Sequence, residues 1–399
     1  MRARPGRIMN DPKPQKDPHI LIVGGSLGDR NGISRVVSDL SWGFGDKAIV
    51  VASVDPEKIA FKICDKSRIL ISRQRRKNDL LSLSLPRIVR SIMRKNDALI
   101  VLSHDLSSAV YSAFMKILTM RRAVRVSAFV YDTREIRPRK WPAERRQNIK
   151  LVLFKMLLRI GVIDDVLVLD SRVADTAMTA LRTRRVKVVR IGVSQSVLES
   201  AREGILKKPA SFVEKGEFVI FFHGILIPRR RIEDLISAFG LMEEERGSKA
   251  GLYVGGSLNL YPEYVELVRQ MIEQLRLANK VNLMGVLSDE ELAFMYNRCD
   301  LFVFPCDEQT WGLAPLEAMV FGKPTIVSTG SGVSEVLDPS ISVLVPPKNP
   351  RMIRDAIIEL MEDDKRRKQL GMKAREHVTS KLTFANTVQD LKDFWNLKS

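Results

Sequence analysis

Short apolar runs alternate with longer stretches of helical spacing along most of the chain. The run HILIVGGSL at 19–27 ends on glycines, and NGISRVVSDLSWGF follows with apolar positions every three or four residues. That pattern predicts a strand, a glycine loop and a helix. Runs at 47–54, 67–72, 98–104, 125–132, 165–171 and 186–193 predict further strands. Between them, 78–97, 105–118, 143–161 and 172–182 carry helical spacing, with Asp105 as an N-cap for the second of these. The polar stretch 194–217 interrupts the rhythm and reads as a domain boundary or linker. The alternation then restarts. Strands are predicted at 218–224, 250–256, 280–285, 301–305, 324–328 and 341–347, and helices at 231–242, 261–278, 288–300, 313–322 and 349–363. Strand and helix in turn mean βαβ units and mostly parallel sheets. The expected fold class is α/β, with two doubly wound Rossmann-like domains facing a central cleft. Ligands in such sheets bind outside the C-terminal strand ends.

Composition narrows the picture. At 399 residues, 45% hydrophobic and 28% charged, the chain is long enough for two or three domains with substantial cores. Three cysteines, Cys64, Cys299 and Cys306, form no metal spacing and no disulfide framework, which fits a reducing compartment. The opening MRARPGRIMNDPKPQKDPHI is basic and proline-rich but lacks the apolar core of a signal peptide. No apolar run is long enough for a membrane span, since LVLFKMLLRIGVIDDVLVLD is broken by Lys155, Arg159, Asp164 and Asp165.

Charge is uneven. The net +18 belongs to the first half: residues 1–200 hold 39 Lys and Arg against 19 Asp and Glu, whereas residues 201–399 hold 26 against 28. The first half therefore faces something anionic. The basic amphipathic stretches 73–96 and 145–160 read either as helices packed on a sheet with a solvated basic face or as membrane-surface contacts. Nucleic acid is not the expected partner, because basic residues are not interleaved with aromatic ones and no recognition module is present.

Three strand-end loops carry candidate chemistry. In HGILIPRRRIEDLISAF, Gly224 ends a strand, and Arg229, Arg230 and Arg231 precede a helix. Guanidinium groups and N–H donors at a helix start suit a diphosphate, although a solvated basic turn has the same pattern. The strand ending YVGGS lets backbone approach a ligand at Gly255, although glycines are also ordinary turn residues. In CDEQTWGLAPLEAMVFGKPTIVS, Glu308, Gln309 and Trp311 lie on an extended segment, and Glu317 falls in the first turns of the next helix. A carboxylate there suits two vicinal hydroxyls, as a ribose needs, although a solvated glutamate on a helix has the same pattern. His104, at the end of the strand 98–104, either lines the cleft or packs structurally.

Taken together, HGILIPRRRIEDLISAF, VNLMGVLSDEELAFMYNRCDLFVFP, EQTWGLAPLEAMVFGKPTIVS and SGVSEVL resemble, in order and spacing, the C-terminal half of the retaining glycosyltransferases of family 4 (glycosyl transferases group 1). The resemblance covers about residues 218–375 well and the first half loosely. It implies a GT-B fold whose second domain holds a nucleoside diphosphate sugar, with no metal requirement and no cofactor. Glu317 matches the second Glu of the family's Glu-x₇-Glu motif, at the donor ribose. Gly312 and Leu313 match the loop at the donor phosphates and sugar. Arg230 falls where the family has its phosphate-binding Lys, and Gly332, Val333 and Glu335 match the following Gly-x-x-Glu loop. In the first half, Gly32 matches a glycine loop near the diphosphate and acceptor. Tyr131-Asp132 stands where the family has a His-Asp pair near the reacting carbon. Two further departures are Gln309 eight residues before Glu317, with Glu308 beside it, and Ile225 in place of an Arg. Arg230, Gln309 and Glu308 are thus the expected catalytic set. Gly224, Arg229, Arg231, Gly255, Trp311, Gly312, Leu313, Glu317, Gly332 and Glu335 are the expected donor contacts, and Gly32, His104, Tyr131 and Asp132 the first domain's cleft residues.

The expected domains are a basic tail at 1–17, an acceptor-side domain at 18–198, a donor-binding domain at 199–375, and a C-terminal helix at 376–399 packing back on the first domain. The expected activity is transfer of a hexose-type sugar, with retention, to a lipid-linked, glycan or other anionic acceptor. The expected location is cytoplasmic, peripheral at the inner membrane face. The alternative is a GT-B scaffold that binds a nucleotide or glycan without turnover.

Overall fold

The computed structural model describes residues 18–23, 32–52, 64–71, 91–92, 99–119, 124–137, 145–204, 206–215, 217–308 and 311–397. Most of the helix expected at 78–97 lies outside them, as does Gln309. Two parallel-stranded sheets form the frame. The first has seven strands: β1 (His19–Val23), β2 (Ala48–Ala52), β3 (Arg68–Ile71), β4 (Leu99–Ser103), β5 (Val124–Val130), β6 (Asp165–Val168) and β7 (Val186–Val188), in the order β3-β2-β1-β4-β5-β6-β7. The second has six: β8 (Phe218–His223), β9 (Ala250–Gly255), β10 (Val281–Gly285), β11 (Leu301–Phe304), β12 (Thr325–Ser328) and β13 (Val343–Val345), in the order β10-β9-β8-β11-β12-β13.

The chain divides into two compact units, one of Met1–Ala128, Met156–Asp164 and Lys392–Ser399, the other of Phe129–Lys155 and Asp165–Leu391. In the first unit, β1 is buried at Ile20, Leu21, Ile22 and Val23, as expected of an inner parallel strand covered on both faces. Helix α1 (Gly32–Phe44) turns Val36, Val37 and Leu40 inward. Helix α2 (Leu106–Thr119) starts where expected: Asp105 Oδ1 accepts from Ser108 N at 2.8 Å, which satisfies one of the helix's orphan N–H groups. Phe394 and Trp395, near the chain's end, pack in this unit. Trp395 Nε1 donates to Ser127 Oγ at 3.3 Å, and the Arg125 guanidinium lies 4.8 Å from the Phe394 ring.

The second unit contains α3 (Thr133–Ile136), the start of α4 (Arg145–Arg159), α5 (Ser171–Leu181) and α6 (Gln195–Glu203). The helices α7 (Ile232–Arg246), α8 (Pro262–Gln274), α9 (Asp289–Arg298), α10 (Leu313–Val320), α11 (Pro350–Glu362), α12 (Asp364–Lys381) and α13 (Phe384–Phe394) follow in order. An aromatic cluster sits beneath the strand ends of its sheet. Phe221 packs edge-on against Tyr296 and Phe302, with centroids 5.7 and 5.8 Å away, and Phe222 stacks on Phe304 at 6.3 Å. Such pairs add to the area they bury. Helix α12 approaches the α10–β12 turn so closely that a Cβ on Gly371 would lie 2.0 Å from the Gly322 carbonyl oxygen.

Two local expectations change. The strand expected at 186–193 stops at Val188: Val189 N still donates to Val168 O at 2.8 Å, but from Arg190 on the backbone bonds elsewhere, with Arg190 O and Gly192 N both held by Thr387 Oγ1 at 2.9 Å. Val193 N donates to Leu382 O at 2.8 Å, and Phe384 N to Val193 O at 2.8 Å. The stretch 194–217 holds the nine-residue helix α6, which Gly204 closes in the left-handed conformation at φ 65°.

Candidate functional site

The glycine-bearing strand ends of the second sheet are drawn together. Gly224 N donates to Gly255 O at 3.1 Å, and Gly256 N donates to Gly285 O at 2.8 Å. Gly256 has φ +152°, and a Cβ on it would sit 2.0 Å from Gly224 O. Only glycine fits there, which brings bare backbone to the mouth of β8 and β9.

The three consecutive arginines part company. Pro228–Arg230 form one 3₁₀ turn, and Arg231 sits at φ 54°, the left-handed residue before α7. Arg231 turns to its own helix: Nε and Nη2 reach Asp234 at 2.8 and 2.7 Å, and Nη1 reaches Glu233 at 2.7 Å. Arg230 lies between the ends of β8 and β11. Its Nη1 donates to Cys306 Sγ at 3.6 Å, and its guanidinium stands 5.5 Å from the Phe304 ring. A Cβ on Gly224 would be 3.8 Å from its Nε. Arg229 Nη1 donates to Asp132 Oδ2 at 2.9 Å, and Asp307 N donates to Arg229 O at 2.8 Å. The Nε atoms of Arg229 and Arg230 are both buried without a hydrogen-bond acceptor.

These charges act on one another. Burial, then the nearby cations Arg134 and Arg230, lower the Arg229 pKa, and Asp132 opposes them. Burial would raise the Asp132 carboxyl, but hydrogen bonds and charge from Arg134, with the charge of Arg229, hold it below the usual carboxylate range. Asp132 also N-caps α3 in a capping box, with Glu135 Oε1 accepting from Asp132 N at 3.1 Å. Tyr131 stacks on Phe129 with centroids 5.3 Å apart.

After β11, Asp307 pairs with Lys348 Nζ at 2.6 Å, and Glu308 is exposed in the left-handed conformation at φ 49°. Trp311 is buried, and its Nε1 donates to Ile191 O at 2.9 Å. A Cβ on Gly312 would meet the Phe304 ring at 2.8 Å. Leu313, half-buried, opens α10, and Glu317 follows in its second turn. Glu317 is buried, and Tyr296 Oη donates to its Oε2 at 2.8 Å. After β12, Gly332 begins the 3₁₀ turn Gly332–Val336. Glu335 faces the start of α5: its carboxylate accepts from Ser171 N at 3.0 and 3.1 Å and from Ser171 Oγ at 2.8 Å. A carboxylate there also complements the helix dipole.

In the first unit, Gly32 opens α1. His104 is buried, its N donates to Val23 O at 3.0 Å, and burial pushes its imidazole pKa down to about 3. Within the second unit, the structure thus gathers Gly224, Gly255, Arg229, Arg230 and Asp132 about the ends of β8, β9 and β11, leaves Tyr131 stacked on Phe129, and turns Arg231 and Glu335 to helix starts. Three partners escaped the sequence reading: Asp132 for Arg229, Cys306 for Arg230 and Tyr296 for Glu317. Tyr296 alone had a visible signal, an inward position at helical spacing in 288–300. Among the described residues, no group of three or more His, Cys, Asp and Glu gathers as a metal-ligand set.

Comparison with known proteins agrees with this architecture. Residues 205–377 match the family model described as Glycosyl transferases group 1. The chain is similar to the serotype-specific mannosyltransferase WbdA of Escherichia coli, 27% identical over 198 residues, which are 49% of this chain and 24% of that protein. It is also similar to the D-inositol 3-phosphate glycosyltransferase of Corynebacterium diphtheriae, 30% identical over 141 residues, 35% of this chain and 32% of that protein. Both matches cover less than two thirds of the relative's own length. The crystal structure of Anabaena HepE in complex with UDP superposes with a TM-score of 0.70 at 17% identity, covering 95% of this chain and 99% of that one.

Proposed function

Because residues 205–377 match Glycosyl transferases group 1 and the whole chain has the GT-B fold, we propose that this protein is a retaining glycosyltransferase using a nucleoside diphosphate sugar. The observation that carries the reading is Arg230, a cation held by Phe304 and Cys306 between the ends of β8 and β11, beside the bare backbone of Gly224. In this reading the donor diphosphate lies against Arg230 and Arg229, with the glycines of the β8 and β9 ends beside it. Glu317 takes the ribose hydroxyls, and Trp311, Gly312 and Leu313 shape the wall at the sugar. Glu308 and Gln309 are the groups offered to the transferred hexose, and Gly32, Tyr131, Asp132 and His104 belong to the acceptor side. The anomeric carbon–oxygen bond to the diphosphate breaks as the acceptor hydroxyl bonds to that carbon on the same face. The hydroxyl proton passes to the leaving diphosphate. Arg230 stabilises the charge that develops there, the kind of fixed electrostatic help whose removal costs about 100- to 1000-fold in rate. The acceptor side faces lipid-linked, glycan or other anionic acceptors at the cytoplasmic membrane face, in keeping with the basic first half.

The test is release of nucleoside diphosphate from UDP- and GDP-sugars, with NMR of the product anomer. Turnover with retention, lost in Arg230→Ala, is expected. Inversion, or turnover indifferent to Arg230, overturns the mechanism. A second reading, a donor-binding scaffold without turnover, is favoured by the Arg229–Asp132 pair, which neutralises one of the two cations. Tight donor binding with no release in the presence of membrane extract would support it.

A further inference from the structure

We infer that the C-terminal turns of α2 and α4 form a surface that dips into an anionic phospholipid bilayer. The observation is an exposed apolar cluster within the first unit. Phe114, Ile117 and Leu118 on α2, with Met156 and Ile160 at the end of α4, are 40–62% exposed although all are large and apolar. Spacing explains the exposure. Phe114, Ile117 and Leu118 stand at i, i+3 and i+4, a single helical stripe that runs beside the one burying Ala109, Val110 and Ala113. The exposed residues of α4 recur at the same spacing, Ile149, Val152, Met156 and Ile160. Lys116 joins the two helix ends: its Nζ donates to Val162 O at 3.2 Å and to Asp164 Oδ2 at 2.7 Å. A contiguous apolar patch on a folded protein marks a contact surface.

Charge identifies the occupant. Residues 145–163 hold five Lys and Arg and no Asp or Glu, and the nearby Asp164 is taken up by Lys116. Large apolar side chains on a helix that also carries Lys150, Lys155 and Arg159 match the interfacial layer of an anionic membrane, where acyl chains and phosphate headgroups lie within one another's reach. A second copy of this chain would set like charges against like. The chain's own basic opening segment, residues 1–17, would be repelled in the same way. Among the described residues no helix is long and apolar enough to cross the membrane, so the contact is one of surface residues. The inference deepens the lipid-linked acceptor of the proposed function and rests on it only for its purpose, because vesicle binding needs no donor.

The experiment is flotation of the full chain with vesicles of phosphatidylcholine alone and of phosphatidylcholine mixed with phosphatidylglycerol. Binding to the mixed vesicles, little to the neutral ones, and release at high salt are expected. Leu118→Ser combined with Ile160→Ser should weaken binding at least about tenfold, as loss of two buried aliphatic side chains implies. Arg159→Glu should weaken it by about fivefold or more, and each effect should leave the thermal midpoint intact. Failure of the wild type to bind mixed vesicles, or equal binding by wild type and the serine variant, overturns the inference. So does a dimer in sedimentation velocity that the serine variant dissociates. Nucleoside diphosphate titrations on the same variants keep the two readings apart: vesicle binding without donor binding defeats the enzyme reading alone, and the converse defeats only the membrane surface.

Discussion

Arg229, Arg230 and Arg231 are three identical letters with three different partners. Arg231 is held by Asp234 and Glu233, Arg229 by Asp132, and Arg230 by Cys306 and the Phe304 ring. The sequence showed the cluster but not this division. Its cause is the left-handed turn at Arg231 and partners as far away as Asp132, which no local pattern reports. Glu317 was legible as a residue, because its distance from the glycine turn places it early in a helix. Its burial beneath Tyr296 was not. Tyr296→Phe should cost about 1–3 kcal/mol in denaturant unfolding, since a buried carboxylate loses a donor. His104 carries a pH prediction. Its folded pKa of about 3 lies below the ordinary 6.5, so the unfolded chain binds a proton that the folded chain refuses. Its contribution is therefore level above about pH 6.5 and turns against folding below it, at about 1.4 kcal/mol per pH unit. His104→Gln should flatten the stability–pH curve between pH about 6.5 and 5. An unchanged slope would show that the buried imidazole is not its source.

Elements were more legible than contacts. The strands at 218–224, 250–256 and 301–305 were predicted within a residue or two of β8, β9 and β11, because short apolar runs bounded by Gly, Pro or Asp leave little choice. The shortened β7 and the helix α6 were not, since the first depends on backbone bonds to residues 382–384. Glycine positions carry the element-scale predictions. Gly256→Ala should destabilise by about 2 kcal/mol or more, because the new methyl meets Gly224 O and φ +152° suits no L side chain. Gly371→Ala should be comparably costly, as α12 would be pushed off the Gly322 carbonyl. Chemical denaturation reads both, and Gly247→Ala, with open space at its Cβ, is the control for left-handed strain alone.

For the molecule as a whole, a βαβ rhythm interrupted and restarted was enough to foresee two parallel sheets. A net charge concentrated in the first half points to an anionic partner without naming it. The candidate site was legible only in pieces: each strand-end loop was ambiguous alone, and their meeting depends on the parallel order of β8, β9 and β11. The central claim, that this corner holds a nucleoside diphosphate, is tested most directly by calorimetric titration of UDP and GDP into the wild type, Glu317→Gln and Glu317→Ala. At least one nucleotide should bind the wild type, with affinity falling roughly tenfold or more in both variants while each stays folded, as loss of a charged hydrogen bond implies. Affinity unchanged in both variants, or no binding of either nucleotide by the wild type, would contradict it.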